Sequence, residues 1–188
     1  MIERAKAADI PRILELLIQV NMVHHNGRPD LFKGPTTKYD EKELAELLLD
    51  EERPVFVCRD DAGLILGYAF CVLRETRGDR LMQDIRTLYI DDLCVDEASR
   101  GQGVGRRLYR HVLDYARQQG CYNVTLNVWA CNPGARAFYE RLGMTEQNLA
   151  VFRCEQALHG QLHILDRLVD HSIQPHIDLF QEIGRAHV

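Results

Sequence analysis

The sequence predicts an α/β protein in which a mixed sheet carries helices on both of its faces. Short apolar runs bounded by turn residues alternate with longer segments whose apolar residues recur every three or four positions, which are the patterns of strands and helices. In chain order these segments read β-α-α-β-β-β-α-β-α-β. A hydrophobic content of 46% over 188 residues is sufficient for one domain with a substantial core.

The first strand and two helices occupy the amino-terminal quarter of the chain. Residues 2–5 are expected to form the strand, and Asp9 is placed to cap the helix that follows. Glycine, proline and asparagine residues predict a loop or a broken helix over 21–38. Asp40 and Glu43 have the spacing of a capping box, so the second helix is expected to begin there.

The remaining elements are predicted from alternation, helical periodicity and turn residues. They are strands over 55–59 and 64–74 joined by a turn at 60–63, a charged loop over 75–86, a strand over 87–95, a glycine loop with a helix ending at Gly120, a strand over 124–129, a helix over 132–143 and a last strand over 149–153.

The composition favours a cytoplasmic protein that binds neither nucleic acid nor membrane. The formal net charge of -5 is the opposite of the basic surface on which nucleic-acid binding depends. The amino terminus leads directly into amphipathic sequence, with no signal peptide or membrane-spanning run. The six cysteines form no C-x-x-C pair, so we expect free thiols in a reducing compartment and no metal site.

The carboxy-terminal tail differs from the rest of the chain. Residues 182–188 match one reading frame of a common sequencing-library adaptor, and we expect them to be an artefact. The domain is therefore expected over 1–158, with 159–181 as either a native helical extension or out-of-frame sequence. His159 and His163 are four residues apart, but no acidic partner completes a metal-binding pattern.

A loop of three alternating glycines, over 100–105, follows the strand that ends at Val95 and opens into a helix. The unpaired N–H groups and the dipole of a helix N-terminus favour an anion there. A dinucleotide-binding loop would need its third glycine at the position that Arg106 occupies. A Walker loop would need a Gly-Lys-Ser/Thr ending, which is absent.

Two segments resemble the GNAT N-acetyltransferase superfamily. Arg100-Gly101-Gln102-Gly103-Val104-Gly105 has the form R-x-x-G-x-G, and residues 132–144 have the form N-x-x-A-x-x-F-Y-x-x-x-G-F/M. Their separation by one helix and one strand is also that of the superfamily. The resemblance covers residues 1–155, is most specific over 85–145, and implies the GNAT acyl-CoA N-acyltransferase fold, with a mixed, mostly antiparallel central sheet flanked by helices.

The resemblance implies acetyl-CoA as the co-substrate, with no metal. The residues expected to contact acetyl-CoA begin with the backbone of Leu93, Cys94 and Val95 along the pantetheine arm. The loop from Arg100 and Gly101 to Arg106 is expected at the pyrophosphate, with the N–H groups of 102–106 as donors and the charges of Arg106 and Arg107 in support. The side chain of Asn132 is expected at the pantetheine.

The resemblance also implies three catalytic candidates. Tyr139 would protonate the departing thiolate as a general acid. Residues 90–95 are similar to the I/L-E-D-x-x-V run of spermidine/spermine acetyltransferases and their bacterial relatives, with Asp91 in the place of a proposed glutamate base. Because side chains alternate along a strand, we expect Asp91 and Asp92 to point to opposite faces, so that at most one reaches the acceptor.

The expected reaction is direct transfer of an acetyl group to a primary amine of a small molecule, such as a polyamine, a diamine or an aminoglycoside. Residues 24–38 and the acidic side chains of the 75–86 loop are expected to border this acceptor. Alternatives that stay open are a peptide N-terminus or lysine as the acceptor, a covalent intermediate at Cys94 or Cys131, and a non-catalytic acyl-CoA-binding module. A homodimer is the assembly that we expect.

Overall fold

The computed structural model describes residues 1–148. The strands are β1 (Ile2–Arg4), β2 (Val55–Arg59), β3 (Ile65–Thr76), β4 (Ile85–Val95) and β5 (Asn123–Leu126). The helices are α1 (Ile10–Gly27), α2 (Glu41–Leu47), α3 (Val104–Gln118) and α4 (Pro133–Arg141), with single 3₁₀ turns at Ala7–Asp9 and Glu97–Ser99. The expectations for a strand over 149–153, an extension over 159–181 and an artefact over 182–188 lie outside the described residues.

The strands form one sheet in the order β1-β2-β3-β4-β5. Neighbouring strands are antiparallel except β4 and β5, which are parallel because α3 connects them. The predicted mixed, mostly antiparallel sheet is thereby confirmed.

Each face of the sheet is covered by helices, which produces two apolar layers. Leu108 and Val112 of α3 are fully buried against one face. Ile13 and Leu16 of α1 are fully buried against the other face, together with residues of α2. No helix within residues 1–148 is long and apolar enough to cross a membrane.

Local capping signals were predicted with mixed success. The capping box is confirmed, since the side chains of Asp40 and Glu43 each accept the other residue's backbone N–H at 2.8 Å. The expectation that Asp9 caps α1 was wrong. Its buried carboxylate instead accepts the Lys6 N–H at 2.9 Å and pairs with the guanidinium of Arg59 at 2.6 Å.

The predicted loop over 21–38 begins later than expected, because α1 continues to Gly27. A Cβ at Gly27 would lie 2.9 Å from the Cβ of Cys131, so the helix end packs directly against the segment between β5 and α4. A glycine at position 27 allows the end of α1 to approach Cys131 closely, so this glycine is required for packing and not for a turn.

Candidate active site

A β-bulge in β4 shapes the acidic end of the site. Phe70 of β3 pairs with Asp92, whereas the next residue, Cys71, pairs with Ile90, so Asp91 is an extra residue in β4. An extra residue interrupts the alternation of side chains along a strand. The expectation that Asp91 and Asp92 point to opposite faces was therefore wrong.

Both carboxylates make their contacts on the side of the sheet that α1 and α2 cover. Tyr68, which is buried in the layer beneath α1 and α2, donates its hydroxyl to Asp92 Oδ2 at 2.9 Å. Lys38, from the connection between α1 and α2, places Nζ 2.5 Å from Asp91 Oδ2. The bulge thus produces a pair of adjacent acids on one surface, each with a different partner.

The two acids differ in their electrostatic surroundings. Burial raises the pKa of Asp92 to about 6, although the hydrogen bond from Tyr68 and the charge of Lys38 oppose that effect. Burial acts to lower the pKa of Lys38, but its hydrogen bond with Asp91 prevails and the pKa is raised. Asp91 therefore faces a permanent cation, whereas Asp92 can exchange a proton near neutral pH.

Tyr68 is a site residue that sequence reasoning missed, and Lys38 had been included only as the last residue of the 24–38 segment, with no role of its own. Tyr68 lies in an apolar strand, where the alternation of side chains indicates a core residue. Lys38 lies in the polar segment that precedes the second helix. Each becomes a candidate only once the pairing of β3 with β4 and the path of 28–40 are known.

β4 and β5 separate beside the two aspartates. Their pairing ends at Ile90 and Leu126, and β4 then continues to Val95 with only β3 beside it among residues 1–148. The opposite edge of β4 over 91–95 is open to an extended ligand in the described part of the chain. The residues predicted to contact pantetheine form this edge.

The glycine loop lies at the end of the open edge. Gly101 and Gly103 have φ values of 80° and 75°, in the left-handed region that favours glycine. Gly105 serves packing, because a Cβ there would lie 3.2 Å from the ring of Phe138 in α4. The alternating glycines therefore meet two separate requirements, a tight turn and a close contact between helices.

The first turn of α3 presents unpaired backbone donors. The first intrahelical hydrogen bond runs from Arg107 N to Gly103 O at 3.0 Å. The N–H groups of 103–106 have no acceptor among residues 1–148. The exposed side chains of Arg106 and Arg107 make no ion pair within this range. The unpaired N–H groups, the dipole of α3 and the two arginine charges together favour an anion at the start of this helix.

The side chain of Arg100 supports the loop from within. Its Nε donates to the Val95 carbonyl at 3.3 Å, and its Nη2 lies 3.6 Å from Glu97. Gln102 makes a similar contact with the Ala98 carbonyl at 3.2 Å. Both side chains therefore hold the turn, whereas the sequence had suggested only contacts with the cofactor.

Helix α4 contributes the two predicted residues of the second segment. Asn132 is its N-cap, accepting the Ala135 N–H at 3.1 Å through Oδ1, which leaves the amide NH₂ of Asn132 for another partner. Tyr139 packs with its ring 6.2 Å from that of Tyr109. Burial raises the pKa of Tyr139 well above its ordinary value, and the charge of Asp92 adds to the effect. Its hydroxyl is therefore protonated at neutral pH.

An enzyme-bound acetyl intermediate at Cys94 is disfavoured by the thiol's surroundings. Cys94 is buried beneath α1, where Sγ lies 3.5 Å from the Leu16 carbonyl. Burial raises the pKa of this thiol to about 12, so the nucleophilic thiolate is scarce at neutral pH.

The connection between α1 and α2 forms one wall of the site. Phe32 places its ring 5.0 Å from that of His24 and 5.0 Å, edge-on, from that of Trp129 in the segment after β5. His25 Nδ1 lies 2.7 Å from the Phe32 carbonyl. Burial lowers the pKa of His24, so its ring is neutral at pH 7. The prediction that residues 24–38 border the acceptor fits this position.

The loop between β3 and β4 does not fit its predicted role. A cavity of about 330 Å³ lies there, but Arg86 on its lining precedes Asp92 by six strand positions, or roughly 20 Å. Glu75 is paired with Arg77 at 2.7 Å and with Arg86 at 3.3 Å. Asp79 accepts backbone N–H groups within its own loop. The acids expected to hold a cationic acceptor are engaged within the hairpin.

Comparison with known proteins identifies the family. Residues 20–144 match the model of the Acetyltransferase (GNAT) family. The chain belongs to the GNAT acetyltransferase family. The match includes the bulged strand, the glycine loop and α4, so the family assignment and the geometry concern the same residues.

Curated relatives of this GNAT chain are named as N-acetyltransferases. Glucosamine 6-phosphate N-acetyltransferase 1 of Oryza sativa subsp. japonica is 37% identical over 108 residues, which is 57% of this chain and 61% of the relative. N-alpha-acetyltransferase 40 of Saccharomyces cerevisiae is 35% identical over 101 residues, 47% of this chain and 35% of the relative. The matches span about three fifths of these relatives or less. The resemblance to spermidine/spermine acetyltransferases stays a prediction.

Solved structures share the fold. A mutant form of the BH1408 protein from Bacillus halodurans superposes with a TM-score of 0.79 at 30% identity, covering 82% of this chain and 98% of that one. An aminoglycoside acetyltransferase from a soil metagenome, in complex with sisomicin, has a TM-score of 0.64 at 21% identity, covering 82% and 94%. The second similarity supports the fold alone.

Proposed function

We propose that the protein transfers the acetyl group of acetyl-CoA to the primary amine of a small molecule. The separation of β4 from β5 carries this proposal, because it leaves a strand edge that leads from the aspartates to the glycine loop. An open strand edge binds an extended, amide-containing chain, and a helix N-terminus binds phosphate. Coenzyme A has both features in one molecule, a pantetheine arm and a pyrophosphate.

The donor contacts follow from this placement. The backbone of Leu93 and Cys94 pairs with the pantetheine amides, while the Val95 carbonyl is already engaged by Arg100. The N–H groups at the start of α3 bind the pyrophosphate, and Arg106 and Arg107 add positive charge. The free amide group of Asn132 donates to the pantetheine arm.

Asp92 is the group that we assign to proton removal from the acceptor amine. The amine arrives largely as an ammonium ion, since a free alkylammonium has a pKa of roughly 10. A carboxylate whose pKa is about 6 accepts its proton more readily than an ordinary aspartate does. Asp91 orders Lys38 and supplies negative charge beside the ammonium.

The reaction then proceeds by direct attack. Asp92 first passes the ammonium proton to solvent. The neutral nitrogen then forms a bond to the thioester carbonyl carbon, the carbon–sulfur bond breaks, and the proton that the nitrogen loses as the amide forms passes to the ionised Asp92. Tyr139 gives its hydroxyl proton to the departing thiolate. A tyrosine whose pKa is raised by burial stays protonated until the thiolate forms.

The class of acceptor follows less directly from the fold. A polyamine, a diamine or an aminoglycoside remains one candidate, although the acids of the β3–β4 hairpin have other partners. The names of the relatives make glucosamine 6-phosphate and a peptide N-terminus two further acceptors to test. Each contains a primary amine, so the same chemistry applies.

Release of the CoA thiol tests the proposal. Wild-type protein should release thiol from acetyl-CoA only when an amine from a panel of these classes is present. Tyr139→Phe should lower kcat by about 10²-fold or more with little change in acetyl-CoA affinity, since a general acid contributes roughly 10²–10⁴-fold. Tyr122→Phe, at an exposed position, is the matched control. A thermal shift with acetyl-CoA but no amine-dependent thiol release would favour the acyl-CoA-binding module instead.

A further inference from the structure

Two cations flank Tyr39 beside the acidic pair. Lys38 Nζ lies 5.5 Å from the centre of the Tyr39 ring, and the guanidinium carbon of Arg53 lies 6.0 Å from it. The Tyr39 ring stacks on Phe70 at 5.9 Å, and Phe70 is the residue that pairs with Asp92 across β3 and β4. An aromatic pair therefore connects both cations to the place where the acceptor amine is deprotonated.

The two cations differ in how far their charge is compensated. Lys38 is paired with Asp91. Arg53 is half-buried and donates from Nη2 to the Tyr39 hydroxyl at 3.0 Å, but no carboxylate lies within 4.0 Å of its guanidinium among residues 1–148. A guanidinium has five N–H donors in a planar fork, and carboxylate and phosphate oxygens match that geometry.

This charge distribution discriminates between classes of acceptor. A polyamine with its first amine at Asp92 would bring a second ammonium towards Lys38 and Arg53, where like charges repel. An amine that also carries an anion would bring that anion towards the two cations, where opposite charges attract. The anion would accept hydrogen bonds from the Arg53 guanidinium. It would also accept one from the Lys38 ammonium, which is paired with Asp91.

We infer that the acceptor carries a carboxylate or phosphate in addition to its primary amine, and that Lys38 and Arg53 bind this anion. The inference rests on the proposed acetyl transfer and specifies its substrate class. Tyr39 contacts both cations and links them to Phe70, the neighbour of Asp92 across the sheet.

Four amines of similar length test the inference. Butylamine has a neutral tail, 1,4-diaminobutane a cationic tail, 4-aminobutyrate a carboxylate and 3-aminopropyl phosphate a phosphate. For wild-type protein, kcat/KM from thiol release should be highest for one or both anionic amines, intermediate for butylamine and lowest for the diamine. The difference between anionic and cationic amines should be about tenfold or more, since each charge-assisted hydrogen bond contributes about tenfold. Comparison of kcat/KM for 4-aminobutyrate and 3-aminopropyl phosphate shows whether the site prefers a carboxylate or a phosphate.

Variants of Lys38 and Arg53 test whether these two cations cause the preference for anionic amines. Arg53→Met and Lys38→Met should each reduce the ratio of kcat/KM for the preferred anionic amine to that for butylamine by about tenfold. Because both kcat/KM values come from the same protein sample, partial unfolding lowers both by the same factor and leaves their ratio unchanged. Lys42→Met and Arg74→Met are matched controls and should leave the ratio unchanged, since Lys42 lies on the exposed surface of α2 and Arg74 stacks on Tyr89.

The outcomes separate this inference from the proposed function. Thiol release at similar rates with all four amines, or a ratio that neither variant alters, overturns the anion site and leaves acetyl transfer standing. Absence of thiol release with any amine overturns acetyl transfer. Calorimetric titration of 3-aminopropyl phosphate into wild-type and Arg53→Met protein then decides the anion site separately. Equal affinity of the two proteins would contradict it.

Discussion

Removal of the Tyr68 hydroxyl should shift the pH dependence of the reaction. In Tyr68→Phe, Asp92 loses the donor that lies 2.9 Å from its Oδ2 and favours the ionised carboxylate. A hydrogen bond to a charged group contributes about 1.5–3 kcal/mol, and one pKa unit corresponds to about 1.4 kcal/mol. The pKa of Asp92, which is about 6 in the wild type, should therefore rise by roughly one to two units.

The pH profile of kcat/KM measures this shift directly. The lower limb of the profile, recorded between about pH 5 and 9 with the best amine of the panel, should move to higher pH by that amount. Tyr115→Phe removes a hydroxyl from α3, remote from Asp92 in the fold, and should leave the midpoint unchanged. A Tyr68→Phe enzyme whose rate falls equally at every pH would refute the assignment of Asp92 as the proton acceptor, because only a structural effect would remain.

Three further predictions concern stability and donor binding. Because burial raises the pKa of Asp92 above its unfolded value, the contribution of Asp92 to stability is lost as the pH rises from about 4 through 6. Asp92→Asn should therefore be more stable than wild type by about 1–3 kcal/mol at pH 7.5, with a smaller gain at pH 4, by thermal denaturation. A Cβ at Gly105 would lie 3.2 Å from the Phe138 ring, and this crowding should outweigh the better helix propensity of alanine, so Gly105→Ala should lose about 1 kcal/mol in urea denaturation and bind acetyl-CoA more weakly by calorimetry. Asn132→Asp should keep the N-cap and its stability but raise the KM for acetyl-CoA, whereas Asn132→Ala should also lose about 1 kcal/mol; equal KM values for Asn132→Asp and wild type would exclude a donor role for the amide.

Features that depend on neighbouring residues were predicted from the sequence. The capping box of Asp40 and Glu43 needs only a spacing of three residues. Gly120 follows α3 with a φ of 67°, as expected of a glycine after a helix. The glycine loop before α3 and the start of α4 at Asn132 likewise depend on a few neighbouring residues, so the positions of both segments were predicted from the sequence.

Features that depend on distant residues were not predicted. Lys38 and Asp91 are 53 positions apart, and Asp9 and Arg59 are 50 positions apart. Neither pair follows from the spacing of residues, because only the pairing of strands and the path of the loops bring them together. Asp9 has the local features of a cap, but the buried guanidinium of Arg59 competes for its carboxylate and prevails. The partner of Asp91 is likewise a residue that only the folded chain brings close.

The extra residue at Asp91 has a consequence for how such a site can change over time. Substituting either aspartate alters one side chain, but deleting a single residue from β4 would restore regular pairing with Phe70 and turn the carboxylates towards different surfaces of the sheet. The division of labour between a carboxylate that anchors Lys38 and one that exchanges protons is therefore set by the length of the strand. Loss of one codon elsewhere in β4 would therefore change the surroundings of both carboxylates even though Asp91 and Asp92 themselves remained.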